Sequence, residues 1–207
     1  MAVDTLDVIT LAEAHPYLGI TGTASDTQLA VYITAVSRRL DTLCGPIVVR
    51  TLTTEHQLGG LGYVDVNYRP ISTITTVTEY QVDGSSQVLT ADTASTKNQY
   101  GYWLDDTVRY PRRLWRRTAG IPDYFPPKGL VEITYVAGRS ATTSAVDPIF
   151  KQGASIMLAQ LWRTEQGIGS ETFGQIPTMS GTTIPTFAIP RAVLELLAEE
   201  LRPPGVA

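Results

Sequence analysis

The side chains that most often perform chemistry are few in this chain and lie far apart. His15 precedes a proline and His56 follows a predicted strand, and neither belongs to an HxH or HExxH pattern. A zinc site usually needs histidines paired at such spacings. We therefore interpret each histidine as a surface or half-buried side chain, and we predict no metal and no cofactor.

The other candidates for catalysis are one cysteine and one pair of acids. Cys44 falls in the last turn of a predicted apolar helix, where a free thiol is usually packed into the core. Asp105 and Asp106 could bind a divalent cation, but adjacent side chains point to opposite faces of a strand. The sequence has no G-x-S-x-G motif and no phosphate-binding P-loop, so we predict that the protein is not an enzyme.

One basic segment differs from the acidic remainder of the chain. Five arginines lie between Arg109 and Arg117, in a protein of 207 residues with 16 basic and 20 acidic side chains. The net charge of -4 argues against nucleic-acid binding as the main role, because proteins with that role usually spread positive charge over a face.

Hydrophobic periodicity predicts two helices near the start of the chain. Thr10 and Glu13 have the spacing of a capping box, and Pro16 should shorten or kink the helix that follows. Ser25 and Gln28 predict a second capping box before a longer helix. The apolar residues of this longer helix recur three and four positions apart: Leu29, Ile33, Val36, Leu40 and Leu43.

From about residue 47 to residue 137 the pattern changes to β-strand. Five segments are rich in Val, Ile, Thr and Tyr, which favour strands: VVRTLTTEH, YVDVNY, ISTITTVTEYQV, YGYWLDD and LVEITYVAG. Asp83 and Gly84 mark a hairpin turn. This part of the chain is therefore predicted to be a small, mostly antiparallel β unit.

Helical periodicity returns in the last third of the chain. Asp147 and Pro148 begin a helix with a broad apolar face, and a final helix is predicted from Pro190 to the prolines at 203 and 204. Residues 167–189 between them are rich in Gly, Thr and Pro. A connection of this length is usually functional or disordered.

Together these segments predict an α+β fold, a small helical bundle with an inserted, mostly antiparallel β unit. Residues 1–46 supply the N-terminal helices, residues 47–140 the β-rich insertion and residues 141–207 the C-terminal helices, in one composite domain. The apolar runs are too short to cross a membrane. The N-terminal segment lacks the pattern of a signal peptide, so we expect synthesis in a cytoplasm.

In order and spacing, five segments resemble the head-to-tail connector (adaptor or head-completion) proteins of long-tailed bacteriophages. They are ITLAEAHPYLGITG, DTQLAVYITAVSRRLDTLCGP, RPISTITTVTEYQVDG and VEITYVAGRS followed by VDPIFKQGASIMLAQLWRTEQG. The resemblance runs from about Val8 to Gly167, and IPRAVLELLAEELRP is similar to the closing helix of the family. Pro16 and the long connection depart from the family pattern.

The resemblance implies a structural virion protein, located in the neck and made in the host cytoplasm. It implies a ring, typically of twelve copies, that sits beneath the portal protein and extends the DNA channel. The implied partners are other copies of the chain, the portal protein and a tail-proximal connector or tail terminator protein, with DNA passing transiently and no membrane. A free-standing protein-binding module of a phage or its host is the alternative that the sequence leaves open.

Three interpretations of the basic segment compete on this background. The arginines could keep a water-exposed loop or strand edge soluble, they could line the channel and contact DNA, or they could contact protein. We favour the protein contact, because Arg, Trp and Tyr are enriched at interface hot spots. The predicted interface residues are Arg109, Tyr110, Arg112, Arg113, Trp115, Arg116 and Arg117, together with Phe173, Ile176 and Phe187 of the long connection, which we expect to become ordered on assembly.

Overall fold

The computed structural model describes residues 4–105, 111–165, 175–177, 183–185 and 189–201. The chain forms two compact units. The sheet unit is Val49–Arg139, and the helical unit combines Met1–Val48 with Ser140–Ala207. The sheet unit is thus one continuous insertion between the two parts of the helical unit.

The sheet unit contains eight strands in one mixed sheet. They are β1 (Arg50–Leu58), β2 (Tyr63–Asp65), β3 (Ile71–Tyr80), β4 (Ser86–Ala91), β5 (Gly101–Leu104), β6 (Arg113–Thr118), β7 (Ile121–Pro122) and β8 (Leu130–Ala137). The strand order is β1-β8-β3-β4-β5-β6-β2, and β7 also pairs with β6. Strands β4 and β5 pair in parallel, and the other neighbours are antiparallel.

This architecture corrects the predicted fold class. The protein is α+β, but the expectation of a small helical bundle is wrong, because the eight-stranded mixed sheet is the largest ordered element. The described residues contain four α-helices, and two of these have eight residues or fewer. The size of a sheet depends on pairing between distant segments, so the isolated strand patterns did not reveal it.

The core of the sheet unit is formed by the buried side chains that alternate with more exposed ones along the strands. In β8, every second side chain is buried: Val131, Ile133, Tyr135 and Ala137. These residues pack with apolar side chains from the other strands and from a loop before β8, including Val64, Val77, Leu89, Leu114 and Phe125. The predicted hairpin is confirmed, since Gly84 has a φ of +86° and the amide of Gln81 donates to the carbonyl of Ser85 at 2.8 Å.

The helical unit contains helices α1 (Leu11–Leu18), α2 (Asp26–Cys44), α3 (Pro148–Glu165) and α4 (Arg191–Leu196). It also contains a 3-10 turn at Thr143–Ala145 and two short paired strands, β9 (Gln175–Pro177) and β10 (Thr183–Pro185). The predicted stripe of α2 faces a common apolar core, in which Ile33, Val36 and Leu40 are buried with Met157 and Leu158 of α3. Local periodicity therefore identified the packed face of this helix.

The helix ends agree only in part with the sequence patterns. The capping box at Thr10 and Glu13 is confirmed, and α1 ends two residues after Pro16. The capping box at Ser25 and Gln28 is wrong, because Ser25 is not extended (φ -99°, ψ 2°) and its side chain makes no capping hydrogen bond. Gln28 donates instead to the hydroxyl of Tyr32 at 2.6 Å.

The C-terminal helices begin where the sequence predicts them to begin. The carboxylate of Asp147 accepts a hydrogen bond from the amide of Ile149 at 2.9 Å, with Pro148 as the first residue of α3. Helix α4 begins after Pro190 but ends at Leu196, several residues before the prolines predicted to end it.

Candidate functional site

Strand β6 carries most of the described part of the basic segment. Alternation along a strand places Arg113, Trp115 and Arg117 on one side of the sheet and Leu114 and Arg116 on the other. Leu114 and Arg116 face the core, where they are 0% and 5% exposed. One strand thus divides the predicted interface residues between a buried and an open side.

The neighbouring strands complete the open side of β6. Trp115 lies opposite Tyr63 of β2 and opposite Trp103 of β5, and Asp65 of β2 lies opposite Arg113. Directly opposed residues of paired strands share one face. We call this surface the aromatic–arginine face, and its members are Tyr63, Asp65, Trp103, Arg113, Trp115 and Arg117.

Arg113 is held at the centre of the aromatic–arginine face by a carboxylate and an aromatic ring. Its Nε and Nη2 donate to the two carboxylate oxygens of Asp65 at 2.7 and 2.9 Å. Its guanidinium carbon lies 3.9 Å from the ring centroid of Tyr63. The hydrogen bonds from Arg113 hold the pKa of Asp65 below its usual value. The position of Arg113 is therefore fixed before any partner binds.

Arg117 and Arg112 are less constrained. The guanidinium carbon of Arg117 lies 5.2 Å from the ring centroid of Trp103, and no described carboxylate lies within ion-pair distance of Arg117. Arg112 is 49% exposed and its Nη2 lies 3.6 Å from Asp65. These two arginines retain hydrogen-bond donors that a partner with carboxylates could use.

Arg116 differs from the other described arginines of the segment, because its side chain is buried. It forms a buried, bidentate ion pair with Glu79 of β3, at 2.9 Å from Nε and 3.0 Å from Nη2. Its Nη1 donates to the hydroxyl of Thr118 at 3.1 Å and also to the backbone carbonyl of Arg117. Because burial of an unpaired charge is costly, this pairing fixes Arg116 inside the sheet unit and removes it from the candidate interface.

Comparison with solved structures shows whole-chain matches of similar fold. A chain described as "Neck of empty GTA particle computed with C6 symmetry" matches with a TM-score of 0.64 and 20% identity, over 97% of this chain and 93% of that chain. A chain of the "Virion of native gene transfer agent (GTA) particle" matches with a TM-score of 0.60 and 17% identity, over 96% and 94%. This chain has the fold of a gene transfer agent particle protein.

A third match has the same character. A chain of the "Neck of native GTA particle computed with C12 symmetry" matches with a TM-score of 0.55 and 16% identity, over 97% of this chain and 93% of that chain. No family model matches the sequence, and no curated protein matches it either. At these identities the likeness concerns the fold alone.

The remaining predicted interface residues are Arg109, Tyr110, Phe173, Ile176 and Phe187. Arg109, Tyr110, Phe173 and Phe187 lie outside the described residues. Ile176 lies in β9 of the helical unit, opposite Ile184 of β10. Of the predicted set, the structure therefore brings together Arg113, Trp115 and Arg117, with Arg112 beside them.

Sequence reasoning did not identify Tyr63, Asp65, Trp103 and Glu79 as parts of this arrangement. One pattern could have revealed Glu79, because it continues the buried alternation of Val77 in the segment TVTEY. A charged residue at a core position of a strand requires an opposite charge nearby, and Arg116 has the matching position in β6. The aromatic residues gave no comparable pattern, since their common face depends on strand pairing.

The histidines and the cysteine of the described residues make structural contacts. The described part of the chain contains no cluster of three His, Cys, Asp or Glu side chains that could hold a metal ion. His15 lies 2.7 Å from Asp26, His56 lies 3.2 Å from Glu132, and Cys44 is buried. No helix among these residues has the length and apolar character needed to cross a bilayer.

Proposed function

We propose that this chain is a structural protein of the neck of a phage-like particle, where it joins the head to the tail. The observation that carries the proposal is the match to a neck chain over 97% of this chain and 93% of that chain, at a TM-score of 0.64. The match covers both units of the chain. The resemblance of the sequence to head-to-tail connector proteins supports the same role.

The proposed assembly is a ring of identical copies, with twelve as the expected number. The matched necks were computed with C6 and C12 symmetry, and a ring of twelve is compatible with both. A closed ring of this kind uses heterologous contacts, so each copy must present two different complementary surfaces. The ring would extend the DNA channel between the portal protein and a tail-proximal connector or tail terminator protein.

In this proposal the protein is not an enzyme and acts through its surfaces. The aromatic–arginine face, with Arg112 beside it, is a protein-binding surface, and Arg109 and Tyr110 extend the same segment. Phe173, Ile176 and Phe187 of the long connection are proposed as further contacts that become ordered on assembly. The protein would be made in the host cytoplasm and located in the virion neck, with no membrane contact.

The location of the chain in purified particles tests this proposal. We expect image reconstruction of particles to show a ring of this chain between portal and tail, and mass spectrometry to give about twelve copies per particle. Deletion of the chain should leave filled heads without attached tails. Complete particles that assemble without this chain would exclude the neck role and would favour a free-standing binding module.

A further inference from the structure

We propose that the aromatic–arginine face of one copy binds the acidic segment 191–201 of a second copy. The proposal rests on the proposed neck function, because it assigns the two complementary surfaces that a closed ring requires. It concerns contacts between copies.

The face offers one cation whose position is fixed, Arg113, and two that are less constrained, Arg112 and Arg117. Only two carboxylates among the described residues, Asp65 and Asp105, are recorded near the positive charges of Arg112, Arg113 and Arg117. The face is therefore positive, although the chain as a whole has a net charge of -4. Because Asp65 and the ring of Tyr63 already orient the guanidinium group of Arg113, a partner loses less conformational entropy on binding this residue.

The segment 191–201 has the complementary chemistry. It carries Glu195, Glu199 and Glu200 against the single base Arg191. Val193 and Leu197 are buried and anchor the segment in the helical unit, whereas Leu194 and Leu196 are each 36% exposed. The exposed neighbours Leu194, Glu195 and Leu196 combine a carboxylate with apolar side chains, which match a partner surface of guanidinium groups and aromatic rings.

Glu195 is well placed to change partners on assembly. It accepts a hydrogen bond from Arg191 at 2.8 Å, with the side chains of Arg191 and Glu195 90% and 66% exposed. An exposed pair of this type contributes little to stability, so its exchange for a contact with Arg117 of another copy is inexpensive. Such an exchange leaves Arg191 at the edge of the interface, in contact with water.

The geometry of the face favours a carboxylate partner over nucleic-acid bases. Single-stranded nucleic acids bind to open aromatic surfaces on which bases stack. Here the guanidinium group of Arg113 lies over Tyr63, and that of Arg117 lies over Trp103. The rings are therefore partly covered, while the N–H donors of the guanidinium groups remain suited to carboxylates.

Charge reversal on each surface, alone and in combination, tests the proposed contact. Arg117→Glu would place a carboxylate opposite Glu195, and Glu195→Arg would place two guanidinium groups opposite each other. We expect each change alone to reduce incorporation of the chain into particles about tenfold, as loss of an interfacial charge pair can do. The double variant Arg117→Glu with Glu195→Arg restores opposite charges and should recover most of the incorporation.

Mixing the two single variants separates contacts between copies from contacts within one chain. In an alternating ring, Glu at position 117 of one variant meets Arg at position 195 of the other, and the two original side chains meet at the next interface. Co-production should therefore restore incorporation only if the contact joins different copies. Arg38→Glu, an exposed change on α2, is the control for charge reversal alone.

The possible outcomes distinguish the inference from the proposed function. If wild type enters particles but neither the double variant nor the mixture is restored, the inference is wrong and the neck role stands. If wild type is absent from particles, both proposals fail. If Glu195→Arg has no effect while Arg117→Glu weakens salt-dependent binding to a DNA oligonucleotide, the face contacts nucleic acid and the inference is wrong. Circular dichroism on each variant establishes that it is folded.

Discussion

The helical unit and the sheet unit bury their side chains according to different rules. The helical unit has an apolar core supplied by stripes on α2 and α3, and its buried carboxyl group, Asp7, accepts hydrogen bonds from the hydroxyl of Thr34 and the amide of Asp4. The sheet unit buries a complete ion pair, Arg116 with Glu79, beside its apolar residues. Strands β3 and β6 are not neighbours in the sheet, so this pair joins its two halves across the interior.

The difference between the units concerns specificity as well as stability. Apolar stripes gain free energy from any well-packed neighbour, since the hydrophobic effect is not directional. A buried ion pair adds little net stability to the fold. An alternative arrangement that separates its two partners is strongly destabilised, however, because each charge is then buried without a partner. We therefore expect the sheet unit to be more sensitive to loss of one charged partner than to simultaneous loss of both.

The largest effect is expected for a charge placed in the helical core. Leu40 of α2 is fully buried, so Leu40→Asp should reduce the free energy of unfolding by about 4 kcal/mol or more. Thermal unfolding followed by circular dichroism measures the effect. Arg39→Asp, at the exposed neighbouring position, is the control and should stay near wild type. Equal melting temperatures for the two variants would contradict the assigned helix face.

The next effect should come from the buried ion pair. Arg116→Leu leaves the carboxylate of Glu79 buried without its main partner, which should cost about 3–5 kcal/mol in the free energy of unfolding. Replacing both residues, Arg116→Leu with Glu79→Leu, should recover most of that loss. Urea unfolding of the single and double variants measures both values.

Arg113 in the same strand provides a matched control. Its ion pair with Asp65 is partly exposed to water, so Arg113→Leu should cost about 1 kcal/mol or less. If Arg113→Leu and Arg116→Leu were equally destabilising, the contrast between the buried and the open side of β6 would not hold.

A smaller effect should appear in the pH dependence of stability, with opposite signs in the two units. Burial raises the pKa of Asp7 in the helical unit, whereas Arg113 lowers the pKa of Asp65 in the sheet unit. A carboxyl group whose pKa is raised in the folded state stabilises the fold at low pH. This stabilisation is lost as the pH rises through the folded-state pKa. A carboxyl group whose pKa is lowered in the folded state stabilises the fold above about pH 4. This stabilisation is lost as the pH falls through the folded-state pKa.

Two amide variants test these signs. We expect Asp65→Asn to reduce the loss of stability below about pH 4, and Asp7→Asn to reduce the loss of stability above it. Urea unfolding between pH 3 and pH 7 measures the slopes. A change of the same sign in both variants would disagree with the opposite environments of the two carboxyl groups.

The smallest effect should distinguish the two predicted capping boxes. Thr10 makes its capping bonds, so Thr10→Ala should cost about 1 kcal/mol in the free energy of unfolding. Ser25 makes no side-chain capping bond, so Ser25→Ala should change stability by less than about 0.5 kcal/mol. Thermal unfolding of the two alanine variants compares them directly, and a reversed order would mean that Ser25 caps α2 in solution.

The helix patterns show why part of this fold could be predicted. Leu29, Ile33, Val36 and Leu40 lie three and four positions apart, and each is buried on one face of α2. The hydrogen bonds of a helix join residues four positions apart, so the sequence alone contains the information for such a face. The hairpin at Gly84 is predictable for the same reason, because its geometry depends on adjacent residues.

The sequence by itself determined the acidic composition, the helix stripes, the strand segments and the presence of an arginine-rich segment. Only the tertiary structure decided the order of the strands and the side of β6 on which each arginine lies. Arg116 meets Glu79 from 37 positions away, and Arg113 meets Asp65 from 48 positions away. Strand pairing joins distant segments whose register no local pattern fixes, so the burial of Arg116 and the composition of the aromatic–arginine face depend on the folded chain.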